Sequence, residues 1–583
     1  MQTTTIAFNA LIKNLKKDST SFNKVSVALL ADSASQHLSK AVKAAAIDHS
    51  INLSVWEAEY DAIDSTVYNI NSELYTQHFD YILIVQSTQK LYKEFSLNTR
   101  KASFAEEKIA RVRQFVHLLE QRTKSKVILS NFIELDDSVF GNYANKTDKS
   151  FLYQVRKINF EVMNIAIHHK NLFVADLQSL YAQNGLQVAI NPKLYIHADL
   201  TFDLDFLAQF AKSITSIIAA IQGSFKKCVI VDLDNTLWGG IIGDDGIENI
   251  QIGDLGIGKA FTNLQIWLRN LKERGIILAV SSKNTEAIAK EVFEKHPGMI
   301  LKSDDISVFA INWETKVDNI LFIQSILNIG FDSIVFLDDN PFERAIVKQH
   351  IPDITVPDLP EDPAEYLPYL QSLNLFETAS CSEEDSSRTL QYQEEASRKA
   401  LQKQFTTEAE FLESLEMVAT IKPVDNFTRP RVAQLTQRSN QFNLRTQRYT
   451  DGDISKIMAD PNKYTLTVSL ADSFGDYGLI SAVILEKKAA DRLFIDTWIM
   501  SCRVLKRGVE NMLLEEIVAL AKECGFSEIE GEYLPTAKNG LVKDHYQNLG
   551  FQLDPKTGTW KLNVTEFKSN QIFIKKTKPN VAA

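Results

Sequence analysis

Short apolar runs that end in small polar or acidic residues, with helical stretches between them, constrain the fold of this chain more than any other feature. Strands that alternate with helices in this way form parallel α/β sheets. One series comprises "KVSVALLADS", "FDYILIVQST", "SKVILSNF" and "LFVADLQSL", and a second comprises "CVIVDLDN", "GIILAVSSKN", "MILKSDDIS" and "SIVFLDDNP". We therefore predict two consecutive α/β domains.

The chain has 583 residues, which is too many for a single hydrophobic core. We place the first α/β domain at residues 1–223 and the second at 224–375. The charged stretch "CSEEDSSRTLQYQEEASRKALQKQF" predicts a helical connector at 376–405, and residues 406–583 have the pattern of an α+β domain. The predicted fold class is a multidomain α/β protein.

The overall charge and the cysteine content exclude several classes of protein. A net charge of −11 and a pI near 5.6 argue against a nucleic-acid partner, which requires a basic face. The cysteines are far apart and form no zinc-ligand or disulfide pattern. We see no signal peptide and no apolar run of membrane-spanning length. We therefore expect a cytoplasmic protein without nucleic-acid or membrane partners.

Two acidic pairs follow apolar strands of the second series. Asp232 and Asp234 come after "CVIV", and Asp338 with Asp339 comes after "SIVFL". The carboxyl ends of parallel strands meet at one edge of a sheet, where α/β folds bind ligands. Neighbouring carboxylates repel one another unless a cation neutralises them, and hard oxygen ligands suit Mg²⁺. The sequence therefore predicts a magnesium site at this edge.

Other polar residues near this edge complete what phosphoryl transfer requires. Ser282 ends the strand "IILAVSS", with its neighbour Ser281 as an alternative, and Lys316 follows in "NWETKVDN". A hydroxyl and a fixed cation can hold phosphoryl oxygens while a carboxylate acts as nucleophile. The remaining carboxylates after the first strand have no strand-end position and are interpreted as loop residues, namely Asp244, Asp245 and Glu248.

The order DxDxT, Ser, Lys and DD, over about residues 226–358, resembles the haloacid dehalogenase (HAD) superfamily of phosphotransferases. The resemblance implies that Asp232 attacks phosphorus and forms an aspartyl-phosphate, while Asp234 protonates the leaving oxygen and then activates water. It also implies Mg²⁺ as cofactor and a small phosphorylated substrate. The implied site comprises Asp232, Asp234, Ser282 and Lys316 for catalysis, Asn235, Thr236, Ser282 and Lys316 for phosphate, and Asp232, Asp234, Asp338 and Asp339 for metal.

The spacing of these motifs also predicts an open site. The intervals from Asp234 to Ser282 and from Ser282 to Lys316 hold a strand and helices but leave no room for a folded cap domain. The domain is therefore predicted to be capless and accessible to a phosphate that a macromolecule carries.

The C-terminal domain resembles the GNAT acyltransferase fold, through "FIDTWIMSCRVLKRGVENMLLEEIVALAKEC" and the later "HYQNLGF". The resemblance implies that the loop before the long helix receives the pyrophosphate of a CoA-type ligand. Lys506 stands where that loop should have a glycine. An active acyltransferase and a degenerate domain that docks a phosphopantetheine arm, or binds nothing, therefore both stay open. Acyl or pantetheine contacts would come from Arg503, Lys506, Arg507 and Gly508, and a thiol from Cys502.

Motifs along most of the chain resemble the FkbH-like proteins, a capless HAD branch with a GNAT-like C-terminal domain. They are "VDLDNTLWGGIIGDDG", "SKN", "FLDDNPFER", "EEDSSRTLQYQEEASR", "NQFNLRTQRYT", "FGDYG" and "MSCRVLKRGVE". The resemblance implies that a glyceryl unit is taken from 1,3-bisphosphoglycerate and loaded on the thiol of an acyl carrier protein. Because removal of the acyl phosphate would lose the activation, Asp232 would then act on the 3-phosphate.

Two other hypotheses stay open. A stand-alone Mg²⁺-dependent phosphatase would act on another small phosphorylated metabolite or a sugar phosphate, with the flanking domains as a substrate-binding scaffold. A pure binding or scaffold protein is the second alternative. The intact set of aspartate, serine and lysine motifs in the middle domain counts against it.

The N-terminal domain resembles a degenerate SGNH-hydrolase-like or flavodoxin-like sheet, through "LLADSASQHL". Asp32 and Ser33 stand at the strand end where that hydrolase fold carries its nucleophile. A hydrolase also requires a histidine base held by a carboxylate, and neither His37 nor His197 has the expected spacing. We predict a scaffold or carrier-docking role for this domain rather than a second active site.

Overall fold

The computed structural model describes residues 7–380, 393–394, 398, 401–402, 405, 407–501, 504–536, 538–569 and 571–577. Two of the predicted site residues, Cys502 and Arg503, lie outside these ranges, as does most of the predicted connector at 376–405. The chain divides into two compact units, Met1–Gln222 and Gly223–Ala583.

The first unit contains a five-stranded sheet in the order β2-β1-β3-β4-β5, and all of its strand pairs are parallel. This is the strand order of flavodoxin-like doubly wound sheets. The central strands are buried on both faces, which explains why their sequences are apolar runs rather than alternating patterns. The strands are β1 Asn23–Ala31, β2 Ile51–Glu57, β3 Tyr81–Val85, β4 Lys126–Ser130 and β5 Leu172–Ala175.

The α-helices of the first unit include one, Leu204–Ile221, that is long and apolar enough to cross a membrane, and 67% of it is buried inside the fold. Burial of this kind is typical of a core helix in a globular domain. The helices are Phe8–Ile12, Gln36–Ala46, Ile63–Tyr68, Glu73–Thr76, Thr88–Leu97, Phe104–Arg122, Phe151–His168, Leu177–Asn184, Leu186–Ala189, Pro192–Ala198 and Leu204–Ile221.

The second unit begins with a four-stranded parallel sheet in the order β8-β7-β6-β9. Its strands are β6 Cys228–Val231, β7 Ile277–Ser282, β8 Val308–Ile311 and β9 Ile334–Leu337. Val231 pairs with Val280 on one side and with Leu337 on the other, so the residues that follow these strands share one edge. The helices around this sheet are Ile242–Asp245, Gly258–Glu273, Glu286–Lys295, Lys316–Leu327, Pro341–His350 and Tyr366–Ser372.

One strand prediction was wrong. The run "MILKSDDIS" forms no strand, because Ser303–Asp305 makes a 3₁₀ turn in which the Asp305 carboxylate accepts the Lys302 N–H at 2.9 Å. The strand lies further along the chain, at β8. It has four residues, and most of them are buried in the sheet.

A second, eight-stranded sheet follows, in the order β15-β16-β14-β13-β12-β11-β10-β17. Its strands are β10 Val418–Lys422, β11 Lys463–Asp472, β12 Gly475–Lys487, β13 Arg492–Met500, β14 Glu528–Gly531, β15 Gln552–Leu553, β16 Trp560–Asn563 and β17 Lys575–Thr577. Strands β10 to β13 pair antiparallel, whereas β13 and β14 pair parallel across the helix Val509–Glu523. This is the arrangement expected of a GNAT-like domain, and with the two parallel sheets it confirms the predicted multidomain α/β class. The other helices are Glu408–Ser414, Arg429–Arg438, Asp451–Ala459 and His545–Asn548.

Candidate active site

The carboxyl edge of the four-stranded sheet gathers the predicted catalytic residues. Asp232 directly follows β6, and its N–H donates to the carbonyl of Leu337 at 2.9 Å, which ties it to the end of β9. Lys316 opens the helix after β8, and the preceding Thr315 caps that helix by accepting the Asp318 N–H at 3.1 Å. The cap fixes the first helical turn and with it the lysine.

The Lys316 ammonium lies between two carboxylates. Its Nζ is 2.6 Å from Asp232 Oδ1 and 3.2 Å from Asp338 Oδ2, and it donates to the carbonyl of Ser281 at 2.7 Å. The side chain is only 3% exposed. Burial by itself would lower the pKa of Lys316, but the charges of Asp232 and Asp338 outweigh it and leave the pKa raised. The lysine is therefore a permanent positive charge at this site.

Three carboxylates, those of Asp232, Asp338 and Asp339, bring oxygen atoms within 4.8 Å of one another. Burial, followed by the charge of Asp232, raises the pKa of Asp338 to about 6 and also raises the pKa of Asp339. Their mutual repulsion would be relieved by a cation, and carboxylate oxygens are the ligands that Mg²⁺ prefers. The donor set therefore fits a divalent metal ion.

Asp234, which the sequence placed among the metal ligands, is not part of this cluster. Its Oδ1 accepts hydrogen bonds from the Trp238 indole at 2.9 Å and the Ile242 N–H at 3.1 Å, and its Oδ2 accepts one from Asn284 at 2.9 Å. These donors engage both oxygens of the carboxylate. The geometry therefore corrects the metal-ligand assignment of the Asp234 side chain and leaves its acid–base assignment open.

The side chains of two predicted phosphate ligands contact the loops around the site, and their phosphate-binding role stays a prediction. The Thr236 hydroxyl is buried, accepts the Asp339 N–H at 3.1 Å and lies 3.4 Å from Asp339 Oδ1, so it positions the loop after β9. Asn235 has a left-handed backbone with φ of 53°, and its side-chain oxygen accepts the Gly240 N–H at 2.9 Å. Both side chains hold the loops around the site together.

Ser282 lies in the site, together with a residue that the sequence interpretation missed. The Asn284 amide donates to Ser282 Oγ at 3.1 Å and to Asp234 Oδ2 at 2.9 Å, and it thereby links the two. Asn284 belongs to the quoted "SKN" motif, which was the only signal that could have indicated it. Ser281, the alternative to Ser282, contributes its carbonyl to Lys316.

These residues line one cavity of about 610 Å³ at the sheet edge. Asp232, Asp234, Ser282 and Lys316 all border it. The lining also includes Lys283, whose Nζ lies 2.6 Å from Glu343 Oε1. In the described range 228–337, the connections between the strands of this sheet hold helices and loops and no folded domain. The arrangement supplies a nucleophile, a cation, a hydroxyl and a candidate metal site around one space.

Comparisons with known proteins identify relatives of this chain. The FkbH N-terminal domain model matches residues 26–219. A crystal structure of the N-terminal part of the protein BF1531 from Bacteroides fragilis, described as containing a phosphatase domain complexed with Mg, is 48% identical. It aligns with 64% of this chain and 99% of its own length at a TM-score of 0.62. The chain belongs to the FkbH-like family. No curated protein sequence matches it significantly.

Two acetyltransferase structures also align with this FkbH-like chain. The ribosomal-protein-S18-alanine N-acetyltransferase from Escherichia coli is 14% identical and covers 26% of this chain and 97% of its own, at a TM-score of 0.20. The GNAT domain of S. lividans PAT is 17% identical and covers 24% of this chain and 89% of its own, also at a TM-score of 0.20. At these TM-scores the alignments support no functional argument.

The acidic loop after β6 lies beside the site of this FkbH-like chain. The Asp245 carboxylate accepts the Ile241 N–H at 2.7 Å, and a Cβ at Gly240 would come within 2.6 Å of it, so this carboxylate closes the loop. Asp244 and Glu248 are exposed, and Asp244 borders the cavity. The contacts of Asp245 agree with the prediction that it shapes the loop, and for Asp244 and Glu248 that role stays a prediction.

The predicted acyl-binding residues are dispersed. Arg507 is buried and forms an ion pair with Asp472 at 3.4 Å, so it stabilises the domain interior. Lys506 is exposed with a left-handed φ of 62°, and Gly508, with φ of 80°, precedes the helix Val509–Glu523. Among the described members of this group, Lys506 and Gly508 lie in the loop before the helix without being buried, and their ligand-binding role stays a prediction.

The gap between β13 and β14 is filled by the chain itself. Their pairing stops at Ile495 and Gly531. Beyond that point Asn443 bridges to Ile499, and the Met500 N–H donates to the carbonyl of Phe442 at 3.3 Å. On the other side, the Leu534 N–H donates to the carbonyl of Leu444 at 2.9 Å. We call residues 442–444 the inserted segment; it occupies the edge that two diverging strands would otherwise leave open.

The N-terminal unit shows no hydrolase triad among the contacts of its described residues. The Asp32 carboxylate is buried and accepts the Ser87 N–H at 2.9 Å. His37 packs against Phe8 with its ring edge, and His197 lies on the exposed helix Pro192–Ala198. Neither histidine has a contact with Ser33 or Asp32 in this part of the chain. The scaffold role stays a prediction.

Proposed function

We propose that this FkbH-like chain is a Mg²⁺-dependent phosphatase that works through an aspartyl-phosphate on Asp232. The observation that carries the proposal is the position of the Asp232 carboxylate, 2.6 Å from the buried Lys316 ammonium and clustered with Asp338 and Asp339. The similarity to a phosphatase domain that was crystallised with Mg supports it.

Asp232, Asp338 and Asp339 would hold the metal. When bound there, Mg²⁺ would neutralise the carboxylates and withdraw electron density from the phosphoryl group. Lys316 would remain charged beside Asp232 and counter the negative charge of the transferred phosphoryl oxygens, and Ser282 would donate its hydroxyl to one of them.

The reaction would proceed in two steps, transfer of the phosphoryl group to Asp232 and hydrolysis of the aspartyl-phosphate. In the first, an Asp232 oxygen bonds to phosphorus as the bond from phosphorus to the substrate oxygen breaks, and Asp234 gives its proton to that departing oxygen. In the second, Asp234 takes a proton from water, whose oxygen bonds to phosphorus while the bond to Asp232 breaks. Asn284 holds Asp234 in place throughout, and inorganic phosphate and the free alcohol are released.

The family resemblance supports one specific substrate, 1,3-bisphosphoglycerate. Hydrolysis of its 3-phosphate, a monoester, would leave the acyl phosphate intact for attack by the thiol of an acyl carrier protein. The thiol sulfur would then bond to C1 of the glyceryl unit as the bond from C1 to the phosphate oxygen breaks, which gives a thioester and releases inorganic phosphate and the thiol proton. This route requires a cytoplasmic location, which also stays a prediction.

The negative charge of the cavity lining favours the alternative to 1,3-bisphosphoglycerate, which is a substrate with a single phosphate monoester. Among the described residues that line it, six are acidic and two, Lys283 and Lys316, are cationic, and both lysines already have carboxylate partners. A bisphosphate would bring a second anionic group into this acidic surrounding. A monoester with an uncharged alcohol portion requires no further cation.

A single experiment tests the proposal and separates the two substrates. The full chain is incubated with Mg²⁺, a holo acyl carrier protein and either 1,3-bisphosphoglycerate or 4-nitrophenyl phosphate, with EDTA-treated samples as controls. Mg²⁺-dependent phosphate release is expected from the aryl ester. A glyceryl mass increase on the carrier thiol would establish the first substrate, and phosphate release without that adduct favours the second. Release that EDTA leaves unchanged would contradict the proposal.

A further inference from the structure

Three exposed apolar side chains border the catalytic cavity. Trp313 is 75% exposed, Ile241 46% and Ile288 43%, and all three line the cavity that contains Asp232. Ligand pockets are lined mainly by apolar and aromatic side chains with a few polar groups, so apolar side chains around a polar reaction centre can contact the apolar part of a ligand. We call Trp313, Ile241 and Ile288 the apolar rim of the cavity. The rim suits an apolar part of a ligand, whereas the carboxylates and lysines deeper in the cavity suit a metal ion and a phosphate.

Each rim residue comes from the loop after a different strand. Ile241 follows β6, Ile288 lies in the first turn of the helix after β7, and Trp313 follows β8. Because the strands are parallel, the three loops meet above the same edge that carries the catalytic groups. The rim is thus a product of the same topology as the reaction centre.

The backbone that carries Trp313 is held at both ends. The Asn312 N–H donates to the carbonyl of Ser282 at 3.1 Å, and the Asn312 side chain accepts the Glu314 N–H at 2.9 Å. Lys316 opens its helix three residues after the tryptophan. The indole is therefore exposed on a turn that is held between Ser282 and Lys316. A side chain on a fixed turn loses little conformational freedom when it binds a ligand.

We infer that the site takes a phosphate monoester whose alcohol portion presents an apolar, flat surface, and that Trp313 is the specificity-determining residue that contacts it. Ile241 and Ile288 provide the flanking apolar contacts. This inference rests on the proposed function and narrows its second substrate class. A phosphoryl group held by Lys316 and Ser282 would leave the alcohol portion to extend toward the rim, since the floor of the cavity is charged.

The test is a binding measurement, so it is independent of turnover. Phenylphosphonate and methylphosphonate carry the same anionic group and differ in the apolar portion. With Mg²⁺ present, calorimetry on the full chain should show tighter binding of phenylphosphonate. Trp313→Ala should weaken its binding roughly tenfold and change methylphosphonate binding less than about twofold. Trp313→Phe should restore most of the lost affinity.

Phe342→Ala is the matched control, because Phe342 is 68% exposed near the site but does not line the cavity. It should leave both affinities unchanged. Equal binding of the two phosphonates by the wild type, binding of neither, or an equal loss for both in Trp313→Ala would overturn the inference. Selective phenylphosphonate binding without hydrolysis of any ester would instead preserve it and contradict the proposed phosphatase activity.

Discussion

The sheet of the first unit and the first sheet of the second unit carry an aspartate at the same place and surround it differently. Asp32 follows the interior strand β1 and donates its N–H to Val85, the last residue of β3. Asp232 follows the interior strand β6 and donates its N–H to Leu337, the last residue of β9. The backbone places the two carboxylates equivalently.

The neighbours decide what each aspartate can do. Asp32 accepts a backbone N–H from Ser87, and the nearby Lys90 forms an ion pair with a different carboxylate, Asp61. Asp232 has a buried lysine and two further carboxylates around it. Among the residues that the structure describes, that cluster is the only group of three side chains suited to a metal ion. The fold supplies the position, and the adjacent strand ends supply the chemistry.

The largest expected difference is in catalysis. Asp232→Asn keeps the size of the side chain but removes the nucleophile, so Mg²⁺-dependent phosphate release should fall at least about a thousandfold. Asp32→Asn, its counterpart in the first unit, should keep the activity within about twofold. Phosphate assays together with intact mass measurement of the phosphoryl-enzyme check both variants. More than a tenth of normal turnover in Asp232→Asn would refute the nucleophile assignment.

A second comparison concerns the two lysines. Lys316→Ala leaves buried carboxylates without their cation and should lower the free energy of unfolding by roughly 3 kcal/mol. Lys90→Ala breaks a partly exposed ion pair with Asp61 and should cost less than about 1 kcal/mol. Urea unfolding of the full chain without added metal measures both. Equal losses of unfolding free energy in the two variants would mean that the buried contacts of Lys316 stabilise the fold no more than the exposed ion pair of Lys90.

The smallest effect is a pH dependence confined to the first unit. Burial raises the pKa of Asp32 to about 6, against the opposing hydrogen bond from Ser87 and the charge of Lys90. Because the pKa of Asp32 is higher in the folded than in the unfolded chain, the protonated carboxyl contributes to the free energy of unfolding. This contribution is complete below about pH 4 and is lost as the pH rises through about 6. Relative to Asp32→Asn, the wild type should therefore lose roughly 2 to 3 kcal/mol between pH 4 and pH 7.

Hydrogen exchange of the β1 amides in the full chain, corrected for intrinsic exchange rates, measures this loss. Ser87→Ala keeps the backbone N–H that Asp32 accepts but removes a side-chain hydrogen bond that lowers the pKa of Asp32, so it should retain the pH dependence and move it to higher pH. Parallel pH profiles for the wild type and Asp32→Asn would contradict the burial of a titrating carboxylate at this position.

The sequence predicted which residues share the sheet edge, because a buried strand fixes where its last residue lies. Asp232, Ser282, Asp338 and the helix-opening Lys316 lie together at that edge, and their catalytic roles stay predictions. A sequence pattern does not fix side-chain direction. The Asp234 carboxylate accepts hydrogen bonds from three donors, and Arg507 is buried against Asp472.

Asn284 and the strand β8 show the other limit. The role of Asn284 depends partly on Asp234, which lies 50 residues away in the sequence, so the "SKN" motif marks the residue but does not indicate this contact. The strand β8 directly follows the run "MILKSDDIS", whose apolar start has the same local pattern as a strand, so the sequence placed the strand too early in the chain.

The inserted segment of the C-terminal domain has a consequence for any pantetheine arm. If an arm entered the gap between β13 and β14, residues 442–444 would compete with it at a high effective concentration, because they belong to the same chain as the sheet they complete. The arm would have to displace the contacts at Ile499, Met500 and Leu534 before it made its own. Its binding would then be an exchange of one strand for another, set largely by how readily the segment is released.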